Sequence, residues 1–541
     1  MLIAAPRLSL VQIRALGTIG ALAVAAGGSF AGSLPVGGPQ LVALRTRLIG
    51  DHVDPAVVCV YLGLTLLVVA WWRLGRLLTN PETGVTRHAL LVTLVSWSAP
   101  LVLCPPLFSR DVYSYLAQGA MVRAGIDIYS HGPATLGGPL AAEVPAIWQD
   151  TPAPYGPVFV LYATAIAHVV GTNTVLGVFA MRAVALLGVA GLAVCLPWLA
   201  RRCGASPTKA LWLGVLNPLV LTHLVAGAHN DAVMLALLVA GLALVTAGRR
   251  VVGVTLIAMA ALVKVPAVVG LLFVVPLWAA HAATRATAHS ATRATAHSAT
   301  RATAHSAARD ASPSAARATV RWREVQAGLG TAAVAAGATV VLTAAAGTGF
   351  GWVHALGTPA SPSNWSITSA LARITARFLD LVGVGVAADV LELWRWVGLC
   401  VAVVAAVACW WQRERLGPVR ALGLALGAIV LLGPALRPWY LLWAVVLLAV
   451  TSLSPRLLWA IAASCGVLAM VVLPNGFAPE YSDIGHAVLG VAMAIGALLI
   501  ASALADREDW PLHQAEPLPQ AAGTAAYRPA QAVRAYQAYP R

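Results

Sequence analysis

Between residues 109 and 118 the chain reads Ser-Arg-Asp-Val-Tyr-Ser-Tyr-Leu-Ala-Gln, directly after an apolar run that ends at Phe108. Arg110 and Asp111 therefore stand near bilayer depth, where a charge is costly and usually has a partner or a task. Asp111 either caps the helix that starts beside it or has a functional task. More groups of this kind follow: Tyr113, Tyr115 and Gln118, then Asp127, Tyr129 and His131. An aromatic turn, Pro154-Tyr155-Gly156-Pro157, comes next, and His229-Asn230-Asp231 lies between two apolar runs. Lys264-Val265-Pro266 interrupts another run, and Asn364-Trp365-Ser366 and Arg437-Pro438-Trp439-Tyr440 complete the set. Carboxylates move protons, cations hold anionic groups, and aromatic faces receive flat or ring-shaped ligands. Each cluster also has a plain structural reading. His229-Asn230-Asp231 can be a polar turn, Trp439 and Tyr440 can be interfacial anchors, and Arg437 can snorkel.

The elements that must position these residues are apolar helices. The chain has 541 residues, 59% hydrophobic and only 10% charged, with repeated apolar runs of bilayer length. The reading is an all-α polytopic integral membrane protein with about 13 transmembrane helices. Continuous rather than alternating apolar runs exclude a β-barrel. The net charge of +15 sits mainly in short loops, which the positive-inside rule explains without nucleic acid. The seven cysteines form no CxxC and lie in or beside apolar runs, so they read as small core residues. The first apolar stretch reads as a retained helix rather than a signal peptide.

Spans are expected near 11–30, 56–72, 88–107, 174–200, 210–227 and 231–247, and in a broken pair across 251–280. Six more fall near 326–348, 395–412, 418–436, 439–452, 457–474 and 486–504, with an amphipathic surface helix at 378–393. Arg7, Arg14, Arg73, Arg76 and Arg87 place 108–156 outside the cytoplasm as a long first loop. Keeping Arg201, Arg202 and Lys209 inside requires 157–170 to be re-entrant or to lie along the surface. Pro266 breaks 251–280 into two half-helices with Lys264 near the apex. The expected organisation is an N-terminal catalytic membrane module at 1–280, a low-complexity cytoplasmic linker at 281–325, a C-terminal transmembrane module at 326–505, and a disordered cytoplasmic tail at 506–541. The linker carries three copies of Ala-Thr-Arg-Ala-Thr-Ala-His-Ser, at 283–290, 291–298 and 299–306. Nothing beside those histidines completes a metal site, so the repeat reads as an expanded linker. There is no P-loop.

These residues resemble the GT-C class of lipid-dependent glycosyltransferases, whose acidic motif lies in the first long external loop. Residues 109–118, Thr-Pro-Ala-Pro-Tyr-Gly-Pro (151–157), Leu-Asn-Pro-Leu-Val (216–220), His-Leu-Val-Ala-Gly-Ala-His-Asn-Asp (223–231) and Arg-Pro-Trp-Tyr-Leu-Leu-Trp (437–443) are similar to the MptB branch of the MptA/MptB α-(1→6)-mannosyltransferases. The resemblance runs over about 10–505. It implies a polyprenyl-phosphate mannose donor, a growing lipomannan- or lipoarabinomannan-type mannan on a phosphatidylinositol mannoside anchor as acceptor, and reaction at the extracytoplasmic face of the cell membrane.

By that resemblance Asp111 is the catalytic base of an inverting transfer, and Arg110, Lys264 and Arg437 are candidates for the donor phosphate. Tyr113, Tyr115, Gln118, Asp127, Tyr155, His229, Asn230, Asp231, Trp365, Trp439 and Tyr440 are candidate substrate-binding residues. A monophosphate donor lowers the need for a metal, and no paired ligand spacing beyond Asp111 and Asp127 appears, so no metal or other cofactor is expected. Two alternatives stand beside this reading: from another class, a flippase or transporter of a lipid-linked sugar, and, with the same donor, a protein O-mannosyltransferase. Inverted repeats would favour the transporter, and the sequence shows none.

Overall fold

A computed structural model describes residues 8–35, 43, 46–47, 54–80, 83–280, 313–360, 366–383, 387–476 and 481–508. Contacts divide the chain into a large unit, Leu8–Ile495, and a small one made of Met1–Arg7 with Gly496–Arg541. The site described below lies wholly in the large unit. Among the described residues all regular structure is helical, apart from one isolated bridge between Leu473 and Gly476. The protein is an all-α polytopic membrane protein.

The N-terminal helices are α1 (Leu10–Ala31), α2 (Asp54–Thr79) and α3 (Arg87–Leu103). Ser9 opens α1 with a reciprocal capping box to Gln12, and Thr86 caps α3. α1 and α2 pack almost backbone to backbone. A Cβ on Gly20 would lie 2.7 Å from the Gly63 carbonyl, and one on Gly63 would lie 2.5 Å from the Gly20 carbonyl. Small residues that let backbones meet are what holds helices together in lipid, where there is no hydrophobic drive to associate. α3 stops four residues short of the expected 107, because Pro105 and Pro106 cannot continue it.

α4 (Asp111–Arg123) follows, and then α5 (Pro157–Val170), which packs against it. With 14 residues, α5 is about 21 Å long against about 30 Å of hydrocarbon. α6 (Thr174–Arg202) is long enough to cross. The expected span at 210–227 is instead α7 (Pro207–Gly214), a break, and a π-turn at Val220–Ala226. Pro218 lacks an N–H, and Asn217 closes the gap. Its amide donates to the Leu213 carbonyl, and its Oδ1 accepts from Leu219 N–H. The chain then bends by 110° into α8 (Asp231–Thr246).

α9 (Arg250–Val263) and α10 (Val265–Ala280) meet at Lys264, whose backbone is extended (φ −152°, ψ 123°). The break falls where Pro266 demands it. α11 (Pro313–Ala346) begins well before the expected 326. α12 (Ile367–Leu381) and α13 (Ala387–Trp411) replace the single surface helix expected at 378–393. Val382-Gly383 separates them, with Gly383 at φ +84°. α14 (Pro418–Leu432), α15 (Pro438–Ala449), α16 (Pro455–Ala469) and α17 (Tyr481–Glu508) complete the bundle.

Among the described residues six helices are long and apolar enough to cross a membrane, and seven shorter apolar helices of 10–17 residues accompany them. The octapeptide repeats and residues 509–541 lie outside the described residues. All seven cysteines are unpaired. Cys104 and Cys465 are buried as expected, whereas Cys400 is exposed.

Candidate active site

A cavity of about 720 Å³ opens where the start of α4, the 151–156 turn, the α9–α10 break and the start of α15 converge. Asp111, Gln118, Tyr155, Lys264, Arg437, Trp439 and Tyr440 line it together. They come from four separate stretches of sequence. The rest of its wall is apolar and runs along α10, α13 and α14 through Leu272, Phe273, Val403, Val407 and Val430. It is therefore a slot with a charged, aromatic end and a hydrocarbon arm.

Asp111 is the first residue of α4, but its side chain does not cap the helix. Ser109 Oγ accepts the Asp111 N–H at 3.1 Å, one of the free donors at that helix end. The Asp111 carboxylate instead faces His229, with Oδ2 3.6 Å from Nε2, and stays partly open to the cavity. Burial works to raise this carboxyl. The facing imidazole, backed by the Arg437 and Lys264 charges, outweighs burial and holds it below the ordinary carboxylate value. His229 is itself fixed, with Nδ1 2.7 Å from the His223 carbonyl and the Trp439 ring centroid 4.1 Å away at a tilt of 41°.

Lys264 projects from the helix break into an aromatic cage. Its Nζ lies 4.7 Å from the Tyr440 ring centroid, 5.6 Å from Trp443 and 6.0 Å from Tyr155. It also donates to Asp231 Oδ2 at 2.8 Å, while Trp443 Nε1 donates to Asp231 Oδ1 at 2.6 Å. Both oxygens of Asp231 are thus engaged within the protein, and Asp231 does not line the cavity.

The remaining sequence candidates divide by position. Arg110 turns away from the cavity. It pairs with the buried Glu143 at 3.3 Å, donates to the Glu143 carbonyl and lies 5.1 Å over the Tyr113 ring. Tyr113 is buried and donates to the Ser33 carbonyl at 2.6 Å. Tyr115 is buried in an edge-on cluster with Tyr155 and Phe159. Asn230 is buried at the head of α8. Asp127 is exposed and closes its own turn, accepting from Ser130 Oγ at 2.6 Å and Tyr129 N–H at 2.9 Å. The Ser130 bond, then the Tyr129 bond, lowers its pKa. Trp365 lies outside the described residues.

Sequence reasoning passed over four residues that shape this site: Ser114, Glu143, Arg182 and His223. Ser114 lines the cavity one turn below Asp111 on α4. Arg182 is buried within α6, lies 5.8 Å over the Phe179 ring and donates to three carbonyls: Val102 at 2.6 Å, Cys104 at 2.8 Å and Ala226 at 2.9 Å. It ties the end of α3 to the end of the π-turn, just ahead of His229. An arginine inside an apolar run was the available signal.

The chain compares closely with known proteins along most of its length. A family model described as "Alpha-(1->6)-mannopyranosyltransferase, N-terminal domain" matches residues 14–280, and an MptB C-terminal domain model matches 368–505. Alpha-(1->6)-mannopyranosyltransferase A of Mycobacterium tuberculosis is 33% identical over 504 residues, covering 91% of this chain and 90% of that protein. The chain belongs to the alpha-(1→6)-mannopyranosyltransferase family. Alpha-(1->6)-mannopyranosyltransferase B of Corynebacterium glutamicum is 32% identical over 519 residues, 90% of this chain and 81% of that protein. No solved structure matches. The protein is a membrane-embedded mannosyltransferase. Of the five motifs, 109–118, 151–157 and 437–443 line the cavity, and 223–231 carries His229 and Asp231, which meet the lining residues Asp111 and Lys264.

Proposed function

We propose that this mannosyltransferase takes mannose from a polyprenyl-phosphate mannose and adds it to a growing α-(1→6)-mannan on a phosphatidylinositol mannoside anchor. The reaction is placed at the extracytoplasmic face of the cell membrane, on the side that the basic loops avoid. The observation that carries the reading is the shape of the cavity, charged and aromatic at one end and apolar along the other. That is the outline of a phosphate-headed lipid.

In this reading the prenyl chain lies along α10, α13 and α14, and its phosphate rests near Arg437 and the Lys264 cage. Arg437 offers a planar donor fork to phosphate oxygens, while Lys264 contributes charge moderated by Asp231. Mannose linked β to the phosphate and delivered as an α linkage must invert, so one in-line displacement suffices. The acceptor hydroxyl loses its proton to Asp111 as its oxygen bonds to the anomeric carbon. The bond from that carbon to the phosphate oxygen breaks, and the electron pair leaves with the phosphate. A phosphate leaving group stabilised by preplaced cations needs no general acid.

The test is a donor comparison in membranes that contain the protein and lack carrier-lipid synthesis. Labelled polyprenyl-phosphate mannose is expected to mannosylate a short α-(1→6)-mannoside, and labelled nucleotide-linked mannose is not. Transfer from the nucleotide sugar alone, or to a serine- or threonine-containing peptide alone, would overturn the reading.

A further inference from the structure

Outside glycine, two described residues have left-handed backbone: Phe108 at φ +65° and Ala228 at φ +54°. Such conformations persist where the surrounding structure imposes them, and they gather at functional sites. Here each one precedes one half of a single contact. Phe108, held by its N–H to the Pro474 carbonyl at 2.9 Å, begins the turn that presents Asp111. Ala228 presents His229.

Between them Gly227 leaves a gap. A Cβ there would lie 2.8 Å from His229 Nδ1 and 2.7 Å from the His223 carbonyl oxygen. The bond across that gap fixes the tautomer. A carbonyl only accepts, so Nδ1 carries the hydrogen at 2.7 Å. In a neutral ring Nε2 is then a bare lone pair. It is buried without a hydrogen bond of its own and faces Asp111 Oδ2 at 3.6 Å. A lone pair cannot bond to an ionised carboxylate, but it can receive the proton that the carboxylate collects. The Trp439 face at 4.1 Å is placed to stabilise the imidazolium that results.

We propose that His229 is the proton store of the transfer reaction, a positioning residue behind Asp111 whose Nε2 receives the acceptor's proton. This inference rests on the mannosyl-transfer reading and adds that the carboxylate does not act alone. The acceptor O–H bond breaks, oxygen bonds to the anomeric carbon, and the phosphate departs with its electron pair. The proton passes over the Asp111 carboxylate to Nε2, and water removes it before the next turnover. Facing Asp111 are His229, the Arg437 and Lys264 cations and, more weakly, the phenols of Tyr115 and Tyr155. Facing His229 are Asp111 and His223.

The test is the full-length His229→Gln protein in membranes, assayed across pH with labelled polyprenyl-phosphate mannose and a short mannoside. Glutamine keeps the bulk and can hold no extra proton. The expected result is a kcat about 30-fold lower or worse, with both KM values within about twofold. The acid limb of the rate profile is expected to move to lower pH, into the range of a lone carboxylate. An unmoved acid limb would overturn the proposal, whatever the loss of rate.

Infrared difference spectra of the wild type against Asp111→Asn give a second arm that needs neither turnover nor a folded His229 variant. With histidine isotopically labelled, the first proton taken up on acidification is expected on the imidazole while the Asp111 carboxylate band persists. Loss of the carboxylate band first would overturn the proposal. A wild type that transfers no mannose from this donor counts against the mannosyl-transfer reading, while the infrared arm still decides where the proton rests.

Discussion

Lys264 and Asp231 illustrate how a residue's sequence context and its structural partner divide the explanation. A lysine within an apolar run at a proline break calls for a counter-charge, and that much is local. The identity of the counter-charge is not local, since Asp231 lies 33 residues away and shares its other oxygen with Trp443. Removing one member of such a buried pair leaves the other uncompensated. Lys264→Met is therefore expected to destabilise the protein by about 3–5 kcal/mol, seen as a lower thermal midpoint in detergent. Asp231→Leu combined with Lys264→Met is expected to recover most of that loss. If the double variant is as unstable as the single, the pair is not what holds this corner together. Glu143 and His223 were illegible for the same reason, and Arg182, though signalled by its apolar run, had partners that were not. Arg182 meets carbonyls about 80 residues upstream and about 40 downstream.

At the scale of elements, apolar period and proline position located most helices, including the break at Lys264. They missed the interruption at Asn217-Pro218, because the flanking residues are uniformly apolar and only the Asn side chain reveals how the gap is bridged. They also merged α12 with the start of α13, which lie only a few residues apart in sequence. The consequence for function lies in the arm formed by α10, α13 and α14. Ala406 lines that arm. Ala406→Trp is expected to raise the KM for a long-chain donor about tenfold by displacing a few methylenes, and to leave a donor with a two-unit prenyl chain unaffected. Equal effects on both donors would mean that the chain lies elsewhere.

At the scale of the whole molecule, composition alone established a helical membrane protein, and five short motifs in order established the family. The convergence of three of them, 109–118, 151–157 and 437–443, on one cavity depends on long-range packing, which no motif encodes. The proposed sidedness rests on the basic loops and carries its own prediction. In a protein otherwise free of cysteine, Ser290→Cys is expected to resist an impermeant thiol reagent in intact cells and to react once the membrane is opened. Labelling in intact cells would invert the topology and with it the face of catalysis.

The account stands or falls on Asp111, which the fold frees from capping and turns toward both cavity and imidazole. The most direct measurement is the initial rate of mannose transfer by Asp111→Asn against wild type, at equal amounts of folded protein. The account predicts a loss of at least about 100-fold with an unchanged thermal midpoint. A variant that transfers mannose at near the wild-type rate would contradict it.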